Sequence, residues 1–122
     1  MDADVYAKDC ASRQLLDRIG DTWSVLIVAS LADGPLRYSQ LAARIDGVSP
    51  KMLTQTLRAL ERDGLISRTV FPVVPPRVDY ELTALGGDLL DLVRALTVWS
   101  EQHISDVLAA RDAYDTRTAA AS

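Results

Sequence analysis

The residues best suited to chemistry lie on one predicted helix, between Ser49 and Asp63. At about 100° per residue, one side of this helix gathers three leucines, and the other side is polar and basic. The polar side consists of Lys51, Thr54, Gln55, Arg58 and Arg62. Arginine and lysine donate hydrogen bonds to guanine edges and phosphates, and glutamine pairs with adenine in bidentate fashion. The face therefore has the chemistry of a helix that reads the major groove of duplex DNA. A solvated helix face is the alternative interpretation.

A second, shorter helix (38–45) is predicted before this one, and a three-residue turn (46–48) joins the two. Ser49 is expected to cap the longer helix, and Pro50 suits its first position because proline lacks the N–H that is unsatisfied there. Helix, turn and helix predict a helix-turn-helix unit over 38–63. The residues expected to meet the DNA backbone at the two helix starts are Arg37, Tyr38, Ser39, Gln40, Ser49 and Pro50. A packing role is the alternative for Tyr38.

Two strands rich in β-branched and aromatic residues follow, and they predict a hairpin wing over 65–83. Paired prolines stiffen the connection and remove ladder donors, so the hairpin can project without pairing edge to edge. Arg77 is expected at its tip, where an arginine suits the negative potential of a narrow minor groove. The alternative for Arg77 is an ion pair with Asp79. Arg68 is expected to face Glu81 across the strands.

The distribution of charge supports this interpretation more than the total does. The 122-residue chain has a formal net charge of −4 and a pI near 4.8, which is low for a protein that binds nucleic acid. Residues 35–77 hold seven basic and three acidic side chains, so this segment carries +4 and the remainder carries −8. Affinity for phosphate depends on where the cations lie. A focused basic face on an acidic protein is therefore predicted.

Bulk properties exclude several other classes. A composition that is 48% hydrophobic and 25% charged is typical of one globular domain. No apolar run approaches the ~20 residues of a membrane helix, and the acidic N-terminus does not resemble a signal peptide. A cytoplasmic protein is expected. No phosphate-binding glycine loop, metal-ligand cluster or nucleophile–base arrangement is present in the sequence, so neither an enzyme nor a cofactor or metal is expected.

The helices outside the helix-turn-helix are predicted at 11–19, at 22–32, which is apolar nearly all round, and at 84–110. The last helix has more apolar positions than the core of a small domain needs, so it is expected to form a two-fold dimer interface together with the first helix. The interface residues predicted on it are Leu89, Leu92, Val93, Leu96, Trp99, Ile104 and Leu108. Residues 1–9 are expected to be a flexible arm, 10–111 one domain, and 112–122 a disordered tail.

Several motifs carry a resemblance to a known family. They are Cys10, IGDTW (19–23), DGPLRYSQL (33–41), SPKMLTQTLRALERDGLISR (49–68) and PPRVDYELTALG (75–86). In this order they resemble the HxlR-type (DUF24) family of winged helix-turn-helix regulators, which are relatives of the MarR group. The resemblance implies a mainly α fold with a small β-hairpin wing (α+β) and with dimerisation helices at both ends. The family often has Cys-Pro at the N-terminal motif, whereas this chain has Cys10-Ala11.

The function implied is that of a homodimeric transcriptional regulator that binds a pseudo-palindromic duplex operator. Repression is the commoner mode of action in such regulators. Family resemblance also implies that Cys10 senses oxidants or electrophiles, and a thiol at a helix start near a mobile arm is expected to be accessible and activated. A small hydrophobe packed at an interface is the alternative for Cys10. Two other functions stay open: a winged-helix module that binds protein instead of DNA, and a regulator that senses a small ligand between helices, near Trp23 and Trp99.

Overall fold

The computed structural model describes residues 4–121, and it begins with two short helices. Helix α1 spans Ala11–Ile19 and helix α2 spans Thr22–Ser30. The Asp21 carboxylate caps α2 by accepting a hydrogen bond from the Ser24 backbone N–H at 3.3 Å. Because α2 is apolar nearly all round, it lies at the centre of the domain and contacts α3, α4 and α5. It ends at Ser30, two residues before the predicted end.

Helices α3 (Tyr38–Arg44) and α4 (Pro50–Arg62) form the predicted helix-turn-helix. The turn between them contains Gly47 at a φ of 84°, and Gly64 follows α4 at a φ of 75°. Both angles lie in the left-handed region that glycine adopts without steric cost. Gly47 therefore allows the tight turn before α4, and Gly64 allows the chain to change direction after it.

The sheet has three antiparallel strands in the order β1-β3-β2. Strand β1 is Leu36–Arg37, β2 is Ile66–Phe71 and β3 is Arg77–Leu82. The two-residue strand β1 is absent from the sequence prediction because its ladder with β3 depends on a distant segment. The register also corrects one expectation: Arg68 lies opposite Tyr80, and Ser67 lies opposite Glu81. A one-residue difference in register changes the face of every side chain.

Helix α5 spans Ala84–Ala121, 38 residues that extend over about 57 Å at 1.5 Å per residue. The sequence prediction ended this helix near residue 110 and expected disorder over 112–122. In the structure the helix continues to Ala121, and Ser122 lies outside the described residues. Neither glycine nor proline occurs after Gly87, and the terminal segment is rich in alanine, the strongest helix former. Helix propensity alone accounts for the difference, since the terminal turns are exposed on every side.

The core lies between α2, the two helices of the helix-turn-helix and the start of the sheet. Its buried residues are Ile27, Leu31, Leu41, Ile45, Leu53, Leu57, Leu60, Leu65 and Ile66. A smaller cluster of Val28, Leu90 and Val93 packs α5 against α2. The predicted fold class, mainly helical with a small β wing, is confirmed. None of the helices within residues 4–121 is long and apolar enough to cross a membrane.

Candidate nucleic-acid interface

The polar face of α4 is presented to solvent, as the sequence predicts. Lys51, Gln55, Arg58 and Arg62 are exposed and Thr54 is half-buried, whereas Leu53, Thr56, Leu57 and Leu60 are buried on the opposite side. The leucines anchor the helix in the core, so its orientation is fixed by apolar packing. The result is a helix that presents Lys51, Gln55, Arg58 and Arg62 to solvent on one side.

Local hydrogen bonds position the start of α4. The Ser49 hydroxyl accepts a hydrogen bond from the Met52 backbone N–H at 3.1 Å, and Pro50 occupies the first helical position. The Tyr38 hydroxyl donates to the Pro50 carbonyl oxygen at 3.2 Å, and its ring packs against the core. Tyr38 therefore joins α3 to α4, which favours its packing role over a direct contact with DNA. Ser49 and Pro50 are exposed at the helix end, where free amides favour anions.

At the start of α3 the predicted residues divide into two groups. The Gln40 side-chain oxygen accepts a hydrogen bond from the Arg37 backbone N–H at 2.8 Å, so this oxygen caps α3. Only the amide NH2 of Gln40 remains to donate outward. Arg37 and Ser39 are exposed. They line a surface groove of about 600 Å³ whose other wall is the wing, residues 73–78. The groove brings the start of α3 and the wing to one face.

The wing differs from the prediction in its most important residue. Arg77 is the first residue of β3, paired with Phe71, and is not at the hairpin tip. Its guanidinium lies 3.2 Å from an Asp79 carboxylate oxygen and 4.4 Å from the centroid of the Phe71 ring. These contacts hold the side chain along the strand, so the ion-pair alternative is the one observed. The tip itself is apolar, and Val74 is fully exposed there.

Few carboxylates oppose the basic face. Within residues 4–121 there are two ion pairs, Arg77 with Asp79 and Arg18 with Asp63 at 3.3 Å. In the second pair, Arg18 neutralises Asp63, the acidic residue that follows α4. The basic side chains of the helix-turn-helix with no carboxylate oxygen within 4 Å are Arg37, Arg44, Lys51, Arg58 and Arg62. Their charge is therefore available to an external anion.

Sequence reasoning missed Arg68 as part of this surface, because it assigned the side chain to Glu81. Arg68 is exposed and lines a polar cleft between α4 and the sheet with Thr54, Arg58, Glu61 and Tyr80. The signal that could have identified it is the alternation of the strand. Arg68 follows the buried Ile66 by two residues, so both share the face that packs toward α4.

Cys10 was expected to be accessible, but its side chain is fully buried. Residues 4–10 fold into turns, and the Cys10 thiol donates to the Asp4 carbonyl oxygen while accepting from the Arg13 backbone N–H at 3.1 Å. The thiol is thus the N-cap of α1. Of the flexible arm predicted for 1–9, residues 1–3 lie outside the described part of the chain. Residues 4–9 cover the thiol.

Helix α5 carries an exposed apolar stripe. Six of the seven predicted interface residues are at least partly accessible, and four of them are more than half exposed: Leu92, Leu96, Trp99 and Leu108. Val93 corrects the prediction: it is 1% exposed in the protomer core and is unavailable to a partner. Together with Leu16 and Ile19 of α1, the stripe lines an apolar groove of about 450 Å³. His103 stacks on Trp99 at 4.6 Å between ring centroids.

Neither histidine nor cysteine belongs to a metal site in the described part of the chain. No group of three His, Cys, Asp or Glu side chains within 4–121 is arranged to hold a metal ion. The single cysteine precedes α1 as its N-cap, and the single histidine lies in α5. The α4 side can form hydrogen bonds and ion pairs with a partner, and the α5 side can form apolar contacts.

Comparison with known proteins agrees with this geometry. Residues 18–107 match the family described as HxlR-like helix-turn-helix. The chain is 45% identical over 111 residues to the uncharacterized HTH-type transcriptional regulator YtfH of Escherichia coli (strain K12), which covers 91% of this chain and 88% of the relative. A solved structure of the ytfH regulator from Salmonella typhimurium is 46% identical, with a TM-score of 0.85 over 89% of this chain and 97% of that one. The redox regulator HypR in its oxidized form is 34% identical, with a TM-score of 0.71 over 76% of this chain and 96% of that one.

Proposed function

The chain belongs to the HxlR-like helix-turn-helix family of transcriptional regulators, and from this premise we propose that it is a homodimeric repressor that binds a specific duplex operator. The observation that carries the proposal is the exposed face of α4, with Lys51, Gln55 and Arg58 pointing outward from a helix anchored by buried leucines. In this proposal α4 enters the major groove, where Gln55 contacts base edges and Lys51, Arg58 and Arg62 contact phosphates.

The elements around α4 support the same docking. Arg37 and Ser39 at the start of α3 are exposed beside the wing, where they would meet the phosphate backbone. The wing tip, which carries no charge between Pro72 and Pro76, would approach the minor groove by apolar contact. Arg77 contributes less than the sequence suggests, because Asp79 already neutralises it.

The exposed stripe on α5 supports a homodimer. Leu92, Leu96 and Trp99 present a contiguous apolar surface beside α1, and a second copy would remove that surface from water. Two-fold symmetry would then place the two α4 helices about one helical turn apart, ~34–36 Å. The operator is therefore expected to be pseudo-palindromic. Repression requires only that the dimer occupy such a site.

The test is DNA binding by the Arg58→Ala variant. A labelled duplex from the promoter upstream of the chain's own gene is titrated with protein at two or more salt concentrations, and fluorescence anisotropy or a mobility shift gives the affinity. The parent protein should bind with an affinity that falls steeply with salt. Arg58→Ala should cost about 1–3 kcal/mol, which corresponds to roughly fivefold to 150-fold in affinity. Arg111→Ala, an exposed arginine near the end of α5, is the matched control and should bind as the parent does.

Two outcomes would overturn the proposal. A parent protein that binds its promoter no more tightly than unrelated duplex DNA would favour a winged helix that binds protein. An Arg58→Ala protein that binds as tightly as the parent would remove α4 from the interface. The comparison with unrelated duplex DNA is needed because the low pI of about 4.8 counts against DNA binding.

We further propose that oxidants control this binding through Cys10. HypR, which is 34% identical to this chain, is described as a redox regulator, and this likeness supports redox control here. Cys10 is the chain's single cysteine, so a disulfide must join it to the Cys10 of a second subunit or to a small thiol. Burial of the thiol implies that the turns over residues 4–9 open before it reacts. A small ligand in the apolar groove between α1 and α5 is the alternative signal.

A further inference from the structure

The polar cleft between α4 and the sheet has no role in the proposal so far. It has a volume of about 360 Å³ and is lined by Thr54, Arg58, Glu61, Arg68 and Tyr80. One wall is the side of α4 that turns toward the sheet, and the other is formed by β2 and β3. The cleft thus lies between α4 and the sheet from which the wing extends.

Backbone register brings these side chains together. Arg68 of β2 pairs with Tyr80 of β3, and cross-strand partners share one face of a sheet. That face packs toward α4, because Ile66, two residues earlier, is buried against the α4 leucines. On α4, Thr54 and Arg58 are four residues apart and lie one above the other on the same side. Two arginines from separate elements therefore line one cleft.

The charges in the cleft are unbalanced. Neither Arg58 nor Arg68 has a carboxylate oxygen within 4 Å, in a part of the structure where Glu61 is close enough to line the same cleft. Two like charges in one concave site repel each other, and an anion between them removes that repulsion. The two guanidinium groups and the hydroxyls of Thr54 and Tyr80 supply donors from both walls. This donor set suits an acceptor with several oxygens.

We infer that the cleft binds a phosphate group. A phosphate presents oxygens in several directions at once, so it can accept from Arg58 on one wall and Arg68 on the other. Glu61 disfavours a doubly charged anion and is compatible with a singly charged one. A phosphodiester of the DNA backbone carries a single charge, and it is the source that this charge balance favours over a free phosphate dianion. The DNA source rests on the proposed function.

The position of the cleft agrees with a backbone contact. A helix in the major groove is flanked on both sides by phosphates, and the cleft lies on the flank of α4 that faces the wing. Arg58 and Thr54 belong both to the outer face of α4 and to the cleft. A phosphate held here would fix the rotation of α4 in the groove, which is how backbone contacts set the register of base contacts.

The DNA arm of the test compares Arg68→Gln with the parent protein. Loss of one charge-assisted contact should weaken binding to the promoter duplex on the order of tenfold. It should also reduce the slope of log affinity against log salt by about one. Glu61→Gln should act in the opposite direction and tighten binding, because it removes the negative charge beside the phosphate. Arg111→Gln, near the end of α5, is the matched control and should change neither quantity.

The second arm uses free phosphate without DNA. Inorganic phosphate, and separately sodium pyrophosphate, are titrated into the isotope-labelled protein, and chemical shifts of Thr54, Arg58, Arg68 and Tyr80 are followed. Shifts confined to these residues and abolished in Arg68→Gln would show that the cleft binds a free phosphate group. An effect of Arg68→Gln on DNA binding without such shifts would identify the backbone phosphate as the occupant. Either result supports a phosphate-binding cleft.

The inference is overturned if Arg68→Gln leaves the affinity and the salt slope unchanged and free phosphate shifts none of the four residues. A parent protein that fails to bind its promoter would instead contradict the proposed function, and the free-phosphate arm would still decide the cleft. Circular dichroism and thermal unfolding check that Arg68→Gln folds. Arg68→Lys serves as a second variant: it keeps the charge without the guanidinium fork, so it should restore the salt slope but only part of the affinity.

Discussion

At the residue scale, Cys10 combines an observed structural contact with the redox role that we propose for it, and one substitution can remove both. Its thiol caps α1 by accepting from the Arg13 backbone N–H at 3.1 Å, and its side chain is fully buried, so in this proposal an oxidant reaches it only after a local opening. A side chain that preserves the cap while removing the redox chemistry separates the two. Serine meets that requirement, since its hydroxyl has the same position and can both donate and accept.

Cys10→Ser is expected to keep the stability and DNA binding of the parent and to lose any response to oxidant. Cys10→Ala, which removes the cap as well, should lower the free energy of unfolding by about 1 kcal/mol. Urea denaturation measures the stability of both variants, and promoter binding with and without diamide measures the response. If Cys10→Ser protein still releases DNA after oxidation, the thiol switch is wrong and the apolar groove beside α1 becomes the place to look for a signal.

The arginines show why burial and register limit what a sequence predicts at this scale. Arg58 and Arg62 lie on the exposed face of α4 as the helical period indicates, because a 3.6-residue repeat assigns faces without any knowledge of the rest of the fold. Arg77 and Arg68 depend on the pairing of two strands. That pairing places Arg77 beside Phe71 and Arg68 opposite Tyr80. Strand alternation indicates that Arg68 shares a face with Ile66, but it does not give the cross-strand partner of either arginine.

At the element scale, the start of α5 is fixed by a close approach to the beginning of the wing. The Thr83 hydroxyl donates to the Gly64 carbonyl oxygen at 2.6 Å and accepts from the Gly86 backbone N–H at 3.1 Å. The Thr83 backbone N–H donates to the Leu65 carbonyl oxygen at 3.1 Å. Gly86 faces that same carbonyl and is buried. This joint holds the start of α5 against the segment that joins α4 to β2.

Gly86→Ala is therefore expected to destabilise the protein by at least about 1–3 kcal/mol. A Cβ at this position would overlap the Leu65 carbonyl oxygen, and a backbone atom has little freedom to move aside. The neighbouring Gly87→Ala is the matched control: nothing lies within 4 Å of its Cβ position, and alanine should stabilise the helix by up to about 1 kcal/mol. Thermal or urea unfolding of the two variants gives the comparison. Equal stabilities would mean that α5 does not approach β2 so closely.

Elements with strong end signals were predicted within one or two residues. The bounds of α4 follow from Ser49, Pro50 and Gly64, each of which acts through its own backbone chemistry. The end of α5 was missed because no such signal exists there and because helix propensity continues to Ala121. Strand β1 was missed for the opposite reason, since two residues acquire a strand conformation only from their partners in β3.

At the scale of the whole molecule, the two surfaces of the domain have different chemistry. The helix-turn-helix side is basic and polar, and the side formed by α1 and α5 is apolar, with Leu96 56% and Trp99 57% exposed. Removing apolar area of this kind from water stabilises an association between subunits. A dimer that joins the apolar sides leaves both basic sides outward. In the proposed dimer, affinity for the operator would then depend on an apolar contact between subunits that is far from the DNA.

Leu96→Asp is accordingly expected to weaken dimerisation at least about tenfold and, with it, binding to a complete operator, because a buried unpaired carboxylate costs several kcal/mol. Val98→Asp is the matched control, since Val98 is also exposed on α5 but lies about 200° around the helix from Leu96. Analytical ultracentrifugation measures the oligomeric state, and binding to a half-site and to a full operator measures the coupling. A Leu96→Asp protein that stays dimeric, or a Val98→Asp protein that dissociates equally, would place the interface on another face of α5. A monomer that binds the full operator as tightly as the dimer would show instead that each basic face acts alone.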